Sequence, residues 1–237
     1  MNDARPRRPV VAVVTFPGSL DDRDARLALE HLGARAPGVW HTDTALPPQT
    51  AAVVLPGGFS FGDYLRCGAI ARTSPIMRAI ETFAGDGGLV LGICNGFQVL
   101  TEARLLPGVL RPNASLRFTC RDVRLRLDRA DTPFTSRCDP ARELTIPVKN
   151  GEGCWFADPD LVEQLEADGR LALRYVQGEN PNGSVADVAG VLNETGNVFG
   201  LMPHPEHAVD ALLGSTDGAL ILGSLVDAAA ALSLATV

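Results

Sequence analysis

Through the first half of the chain, short unbroken apolar runs alternate with segments whose apolar residues recur at helical spacing. "PVVAVVTF" (9–16) reads as a strand, and "LDDRDARLALEHLG" (20–33) as a helix with an acidic start that Gly33 ends. "AAVVLPGG" (51–58) reads as a second buried strand. "SPIMRAIETFAG" (74–85) reads as a helix begun at Ser74-Pro75 and stopped at Gly85. "GLVLGI" (88–93) is a further strand and "NGFQVLTEARLL" (95–106) a further helix. Runs with so few polar interruptions suit parallel strands covered on both faces, which predicts an α/β, doubly wound sheet.

From Phe118 the texture changes. "FTCRDVRLRL" (118–127), "ELTIPV" (143–148), "LALRYV" (171–176), "SVADVAGVLN" (184–193) and "NVFGLM" (197–202) are shorter and more amphipathic, with Gly, Pro and Asn between them. They predict a mixed, mainly parallel sheet with a small antiparallel part. The apolar stretch 218–237 is broken by Gly223 and Asp227, so it predicts a packed final helix instead of a membrane span. With no internal repeat and no low-complexity linker, the pattern predicts a disordered tail over 1–9 and a single domain over 10–237.

Composition narrows the class. The 237 residues carry a formal net charge of −7, which argues against a general nucleic-acid binder. The basic "RPRRP" (5–9) is followed by an apolar run that stops at Pro17-Gly18 without a small-residue cleavage site, unlike a secretion signal. Five cysteines, an odd number without CxxC spacing, favour reduced thiols in the cytosol over a disulfide framework or a zinc site. The expectation is a cytoplasmic chain that meets neither membrane nor nucleic acid and holds no metal.

Cys94 carries the sharpest chemical signal. In "GGLVLGICNGFQVL" (87–100) an apolar run ends on it and a helix-like run begins behind it. A strand turning tightly into a helix is a nucleophile elbow, which lifts the side chain at the C-terminal edge of the sheet. The helix N-terminus there favours the negative thiolate. A buried structural thiol is the commoner fate of a free cysteine, but Gly92 and Gly96 give G-x-C-x-G, the small-residue spacing an elbow needs. Cys67 has no such context.

A thiol nucleophile needs a base, and there are four histidines. His31 falls on a helix surface and His41 beside Trp40 in a loop. His204 sits between Pro203 and Pro205 in "GLMPHPEHAVD" (200–210), its backbone clamped, with Glu206 two residues on to orient its tautomer. The pattern predicts Cys94, His204 and Glu206 as nucleophile, general acid/base and orienting carboxylate. "HPEH" could also be half a metal site, but no carboxylate or cysteine cluster in the sequence completes it. Gly57 and Gly58, after the second strand, would free backbone amides for an oxyanion hole. A lone amidase and a non-catalytic module of the same fold remain alternatives on these residues.

"GICNGFQ" with "PHPE" far downstream resembles the class I, triad-type glutamine amidotransferases. "PGGFSFGDYLRCGAIAR", "NASLRFTCR", "NGEG" and "PHPEHAVD" with "GSTDG" are similar to the glutaminase subunits of phosphoribosylformylglycinamidine synthase, the PurQ family. The resemblance runs from about Val10 to about Ser224. It implies a flavodoxin-like fold and hydrolysis of L-glutamine to glutamate and ammonia by Cys94, His204 and Glu206. It also implies backbone amides near Gly58 and Asn95 as the oxyanion hole, and Gln98 at the substrate's amino-acid end. The partners it implies are a PurL-type synthetase, which uses ATP and magnesium, and a small PurS-type bridging subunit; this chain itself would hold no cofactor. Two departures, Asn150 before "GEG" and His207 after "PHPE", are expected away from the triad, on the rim that meets the synthetase.

Overall fold

The computed structural model of the protein describes residues 8–235, so the expected tail before Arg8 lies outside the described residues. In chain order the elements are β1 (Val10–Thr15), α1 (Asp22–His31), β2 (Gly38–Trp40), β3 (Thr50–Leu55), α2 (Pro75–Gly85), β4 (Leu89–Ile93), α3 (Asn95–Glu102), β5 (Val109–Arg111), β6 (Thr119–Leu127), β7 (Leu144–Asn150), β8 (Cys154–Phe156), α4 (Pro159–Ala167), β9 (Leu173–Tyr175), β10 (Val188–Leu192), β11 (Val198–Leu201) and α5 (Gly218–Ala235). Nine strands form one sheet in the order β2-β1-β3-β4-β11-β10-β9-β6-β7, and β5 pairs with β8 in a separate ribbon. From β2 to β11 every neighbouring pair is parallel; beyond β11 every pair is antiparallel. This is the mixed α/β sheet that the hydrophobic pattern predicts, with four parallel and four antiparallel pairings.

Burial separates the middle of the sheet from its antiparallel edge. β4 and β11 are buried at every residue, because helices α2 and α3 lie against β4 while α1 and α5 pack on one another and on β1. On β6 the pattern alternates instead: Val123, Leu125 and Leu127 face the core, while Arg124 and Arg126 face solvent. An antiparallel edge tolerates one wet face.

Four elements carry too little pattern to stand out in the sequence. β2, β5 and β8 have three residues each, and α4 buries only Val162 and Leu165. The breaks in the final helix have structural employment. Arg137 forks onto Asp227 with bonds of 2.6 and 2.7 Å, and a Cβ at Gly223 would strike the same guanidinium. Among the described residues no helix is long and apolar enough to cross a membrane.

The topology gathers four chain segments at one edge. Residues after β1, β3, β4 and β11 all emerge at the C-terminal ends of the parallel strands, where open α/β sheets bind their ligands.

Candidate active site

Cys94 follows the last residue of β4 and takes φ 49°, ψ −103°, a conformation that a side-chain-bearing residue holds only when its surroundings impose it. The flanking glycines show how. A Cβ on Gly96 would run into the Leu55 carbonyl, and one on Gly92 would sit 2.7 Å from the Gly96 carbonyl carbon. Strand and helix can therefore close this tightly only with bare backbone on both sides. Helix α3 begins at Asn95, so its first-turn N–H groups, which have no intrahelical partner, lie beside the sulfur.

β11 runs parallel to β4 in register Leu201 with Ile93, and Cys94 N–H donates to Leu201 O at 2.8 Å. That pairing sets the chain after β11 next to the elbow. Pro203 and Pro205 bracket His204, whose N–H donates to Pro147 O at 2.8 Å. His204 is 1% exposed and Glu206 2%. His204 Nδ1 and Glu206 Oε1 are 2.6 Å apart. The Cys94 sulfur acts on the same ring, and the buried Nε2 has no hydrogen-bond partner among the described residues. Burial works against a charge on His204, but the Glu206 and Cys94 charges outweigh it and push the imidazole up to about 10. The ring is thereby poised to hold a proton beside the nucleophile.

The elbow opens into a pocket of about 270 Å³ lined by Gly58, Asp63, Cys94, Gln98, Lys149 and Glu152, among others. Gly58 sits there with φ +145°, while its neighbour Gly57 accepts the Leu20 and Asp21 N–H groups at 3.2 Å each. Asn95 is buried; its side chain accepts the Ser60 N–H at 3.2 Å and donates to Gln98 Oε1 at 2.9 Å. Gln98 donates in turn to Glu152 O at 2.7 Å, so it fixes the "NGEG" segment against the pocket. Asn113 and Asn182 fix the same segment from behind: Asn113 donates to Asn150 O at 2.9 Å, and Asn182 donates to Asn150 Oδ1 at 2.5 Å. Every candidate residue named from the sequence is thus at this one edge.

Residues 8–217 match the sequence model of the CobB/CobQ-like glutamine amidotransferase domain. The PurQ subunit of phosphoribosylformylglycinamidine synthase from Rubrobacter xylanophilus is 58% identical over 91% of this chain and 97% of its own. The PurQ subunit from Streptomyces avermitilis is 55% identical over 88% and 92%. A chain in the PurLQS structure from Thermotoga maritima superposes with a TM-score of 0.85 at 42% identity, covering 93% of this chain and 99% of that one. The chain belongs to the PurQ family of glutamine amidotransferases. A putative GMP synthase subunit from Thermoplasma acidophilum, 16% identical with a TM-score of 0.65, shares the fold.

Against the PurQ resemblance, the two departures turn out to lie at the site, not away from it. Asn150 is 3% exposed and lines the pocket with Cys94. The His207 ring lies 5.4 Å from that of His204, and its Nε2 is 3.6 Å from Glu206 Oε1 and 3.3 Å from Asp21 Oδ1. The expectation that His207 stays clear of the triad is overturned, because the turn after β11 folds back on itself over Pro205–His207, whereas Asn150 lines the pocket without a bond to the triad.

Asp21, between β1 and α1, is the residue that sequence reasoning missed. It is 3% exposed, and Lys149 Nζ stands 2.5 Å from its Oδ1. Burial opposes its charge, but His207, His204 and Lys149 hold the carboxyl well below the usual carboxylate range. One nitrogen or oxygen each from Asp21, His204, Glu206 and His207 fall within 4.8 Å of one another. Carboxylates therefore do join the two histidines, against the sequence-based expectation, and a metal there would displace the Lys149 ammonium and the His204–Glu206 bond.

The other thiols differ in setting. Cys67 lines the same pocket, but burial and the carboxylates of Asp63 and Glu152 push it far above the ordinary thiol range. Burial pushes Cys138 up to about 11. None of the five cysteines is in a disulfide.

Proposed function

We propose that this chain is the glutaminase subunit of a phosphoribosylformylglycinamidine synthase, with Cys94, His204 and Glu206 as its catalytic triad. The observation that carries the reading is the strained elbow at Cys94, set against a histidine whose far nitrogen is 2.6 Å from a buried carboxylate. The cysteine sulfur attacks the side-chain amide carbon of glutamine. The oxyanion that develops is met by the N–H groups of Gly58 and Asn95, beside Gly57. His204 gives its proton to the departing nitrogen, ammonia leaves, and a γ-glutamyl thioester remains on Cys94. His204 then takes a proton from water, the hydroxide adds to the thioester, and glutamate leaves as the sulfur regains its charge.

The pocket wall carries both signs, Asp63 and Glu152 against Arg117 and Lys149, as the zwitterionic end of an amino acid requires. Gln98 holds this wall in place through Glu152. Ammonia passes to a PurL-type synthetase, which spends ATP with magnesium on converting formylglycinamide ribonucleotide to formylglycinamidine ribonucleotide, with a PurS-type subunit between the two. Residues 10–237 act as one catalytic unit in the cytoplasm and hold no cofactor of their own. The test is reaction with the glutamine analogue diazo-oxo-norleucine followed by peptide mapping. Labelling confined to Cys94, with loss of glutamine hydrolysis, is the expected result. An adduct mainly on Cys67 or Cys120 would reject the assignment of the nucleophile.

A further inference from the structure

We propose that Asp21 is a positioning residue of the reaction: a second carboxylate behind His204 that favours the charged imidazolium and is itself held in place by Lys149 and His207. The proposal rests on the glutaminase reading and names a residue that the triad does not include.

Three observations single Asp21 out. It occupies the N-cap of α1, where an aspartate ordinarily accepts a first-turn N–H, yet its side chain makes no cap bond. The carboxylate is turned away from its own helix and into the site. There Oδ2 stands 3.6 Å from His204 Nδ1, the nitrogen that also faces Glu206, and Oδ1 takes Lys149 Nζ at 2.5 Å. Second, a bare backbone makes the approach possible. A Cβ on Gly57 would collide with Asp21 Oδ2 and lie 2.7 Å from His204 Cε1. Third, Lys149 links Asp21 to the nucleophile: its side chain holds Asp21 while its carbonyl accepts the Cys94 thiol at 3.8 Å.

A carboxylate this deeply buried is costly unless paired, and breaking the pair leaves an uncompensated charge beside the histidine. The charged groups that face His204 come from each element around it. Glu206 and His207 belong to its own turn, Cys94 to the elbow, and Asp21 to the start of α1. Behind these, Lys149 of β7 acts on Asp21, Asp24 of α1 stands 3.9 Å from His207 Nδ1, and Tyr175 of β9 lies within reach of the Cys94 charge. The carboxylates of Glu206, Asp21 and Asp24 against the one Lys149 ammonium leave a net negative surround, which suits a positive ring.

Opposite substitutions then have opposite effects. Asp21→Asn keeps the shape, removes the negative charge and strands the Lys149 ammonium near the ring. Lys149→Met leaves the carboxylate uncompensated. The experiment is the pH profile of kcat/KM for glutamine in the assembled complex, with Cys94 alkylation by iodoacetamide at pH 7 read by peptide mapping. Asp21→Asn is expected to move the high-pH limb, where His204 loses its proton, down by about one pH unit. It is expected to slow alkylation about 10-fold and to lower kcat more than it raises KM. Lys149→Met is expected to move the limb up and to speed alkylation. A limb that stays put in both variants, or moves the same way in both, overturns the proposal, since a purely structural brace would change rates without opposite shifts. If Asp21→Asn does not fold, the direction of the Lys149→Met shift decides alone. If the wild type fails to hydrolyse glutamine while Cys94 alkylation still responds in opposite directions, the glutaminase reading falls and the role of Asp21 beside His204 stands.

Discussion

The left-handed backbone at Cys94 costs on the order of 1–3 kcal/mol, and the strand pairing, the helix start and two bare glycines together hold it. Replacing the sulfur alone therefore tests chemistry without touching the scaffold. Cys94→Ala is expected to abolish glutamine-dependent synthesis by the reconstituted complex and to leave ammonia-dependent synthesis intact, whereas Cys67→Ala keeps both. Glutamine turnover surviving in Cys94→Ala would end the assignment. The histidine makes a separate demand on stability. Burial disfavours its charge, but Glu206 and Cys94 raise it from the ordinary 6.5 to about 10. A folded value raised above the unfolded one means that the stability it lends is whole below about 6.5 and is lost as pH rises through about 10. The denaturant midpoint is expected to fall across that interval in the wild type, and His204→Gln is expected to flatten the fall. Cys94, His204 and Glu206 were readable from the chain because their signals are local: glycines two residues away on either side, prolines on both flanks, a carboxylate two positions on. Asp21 and Lys149 were not. Their contact spans 128 positions, and neither "SLDDRD" nor "PVKNG" alone says that the other lies opposite.

The segment after β3 is the most strained element at the site. Gly58, Phe61, Gly62, Asp63, Leu65 and Gly68 all take positive φ, and four short ties hold the segment to its surroundings. Phe59 and Phe61 N–H donate to Gly18 O and Pro17 O, Ser60 N–H to Asn95, and Arg66 forks onto Glu102 of α3. Such a loop can present an amide to the oxyanion in one setting and withdraw it in another. Gly58→Ala tests this, because the added Cβ would meet Gly18 O and Leu20 N at 2.7 Å, backbone atoms that cannot rotate aside. Glutamine hydrolysis is expected to fall about 100- to 1000-fold, the value of one oxyanion donor, with circular dichroism unchanged. Full activity in that variant would take Gly58 out of the oxyanion hole. At this scale legibility followed length. The long apolar runs gave β1, β3 and β4 and the helices between them, since one continuous signal defines each. β2, β5 and β8 escaped because three residues cannot display a period and no apolar run extends around them, as 171–176 does around the equally short β9, and α4 because two buried side chains do not make a stripe.

At the scale of the whole molecule, large apolar side chains stand exposed at the mouth of the pocket and on the segment that follows β3. Tyr64, Leu65 and Leu116 are well exposed, Leu65 at 91%, and the Phe59 and Phe118 rings lie 6.4 Å apart. Phe59, Leu116 and Phe118 also line the pocket itself. Exposed apolar side chains gathered at a pocket mouth mark a surface that another protein covers. Covering it would press on the strained loop that carries Gly58, so docking is expected to set the oxyanion donor. A glutaminase that ran before docking would release ammonia into water, where it is protonated and lost as a nucleophile. The isolated chain is accordingly expected to be a poor glutaminase, stimulated when the synthetase, the bridging subunit, ATP and the ribonucleotide are added. The gain expected is about 100- to 1000-fold in kcat if a single donor is restored. Leu65→Asp, at the most exposed apolar position of this rim, is expected to weaken that stimulation at a given synthetase concentration and to leave the basal rate of the isolated chain unchanged. Steady-state glutamine hydrolysis, measured with and without partners, decides. Equal turnover in the two conditions would mean a preformed site and would reject the coupling between the apolar rim and the oxyanion loop.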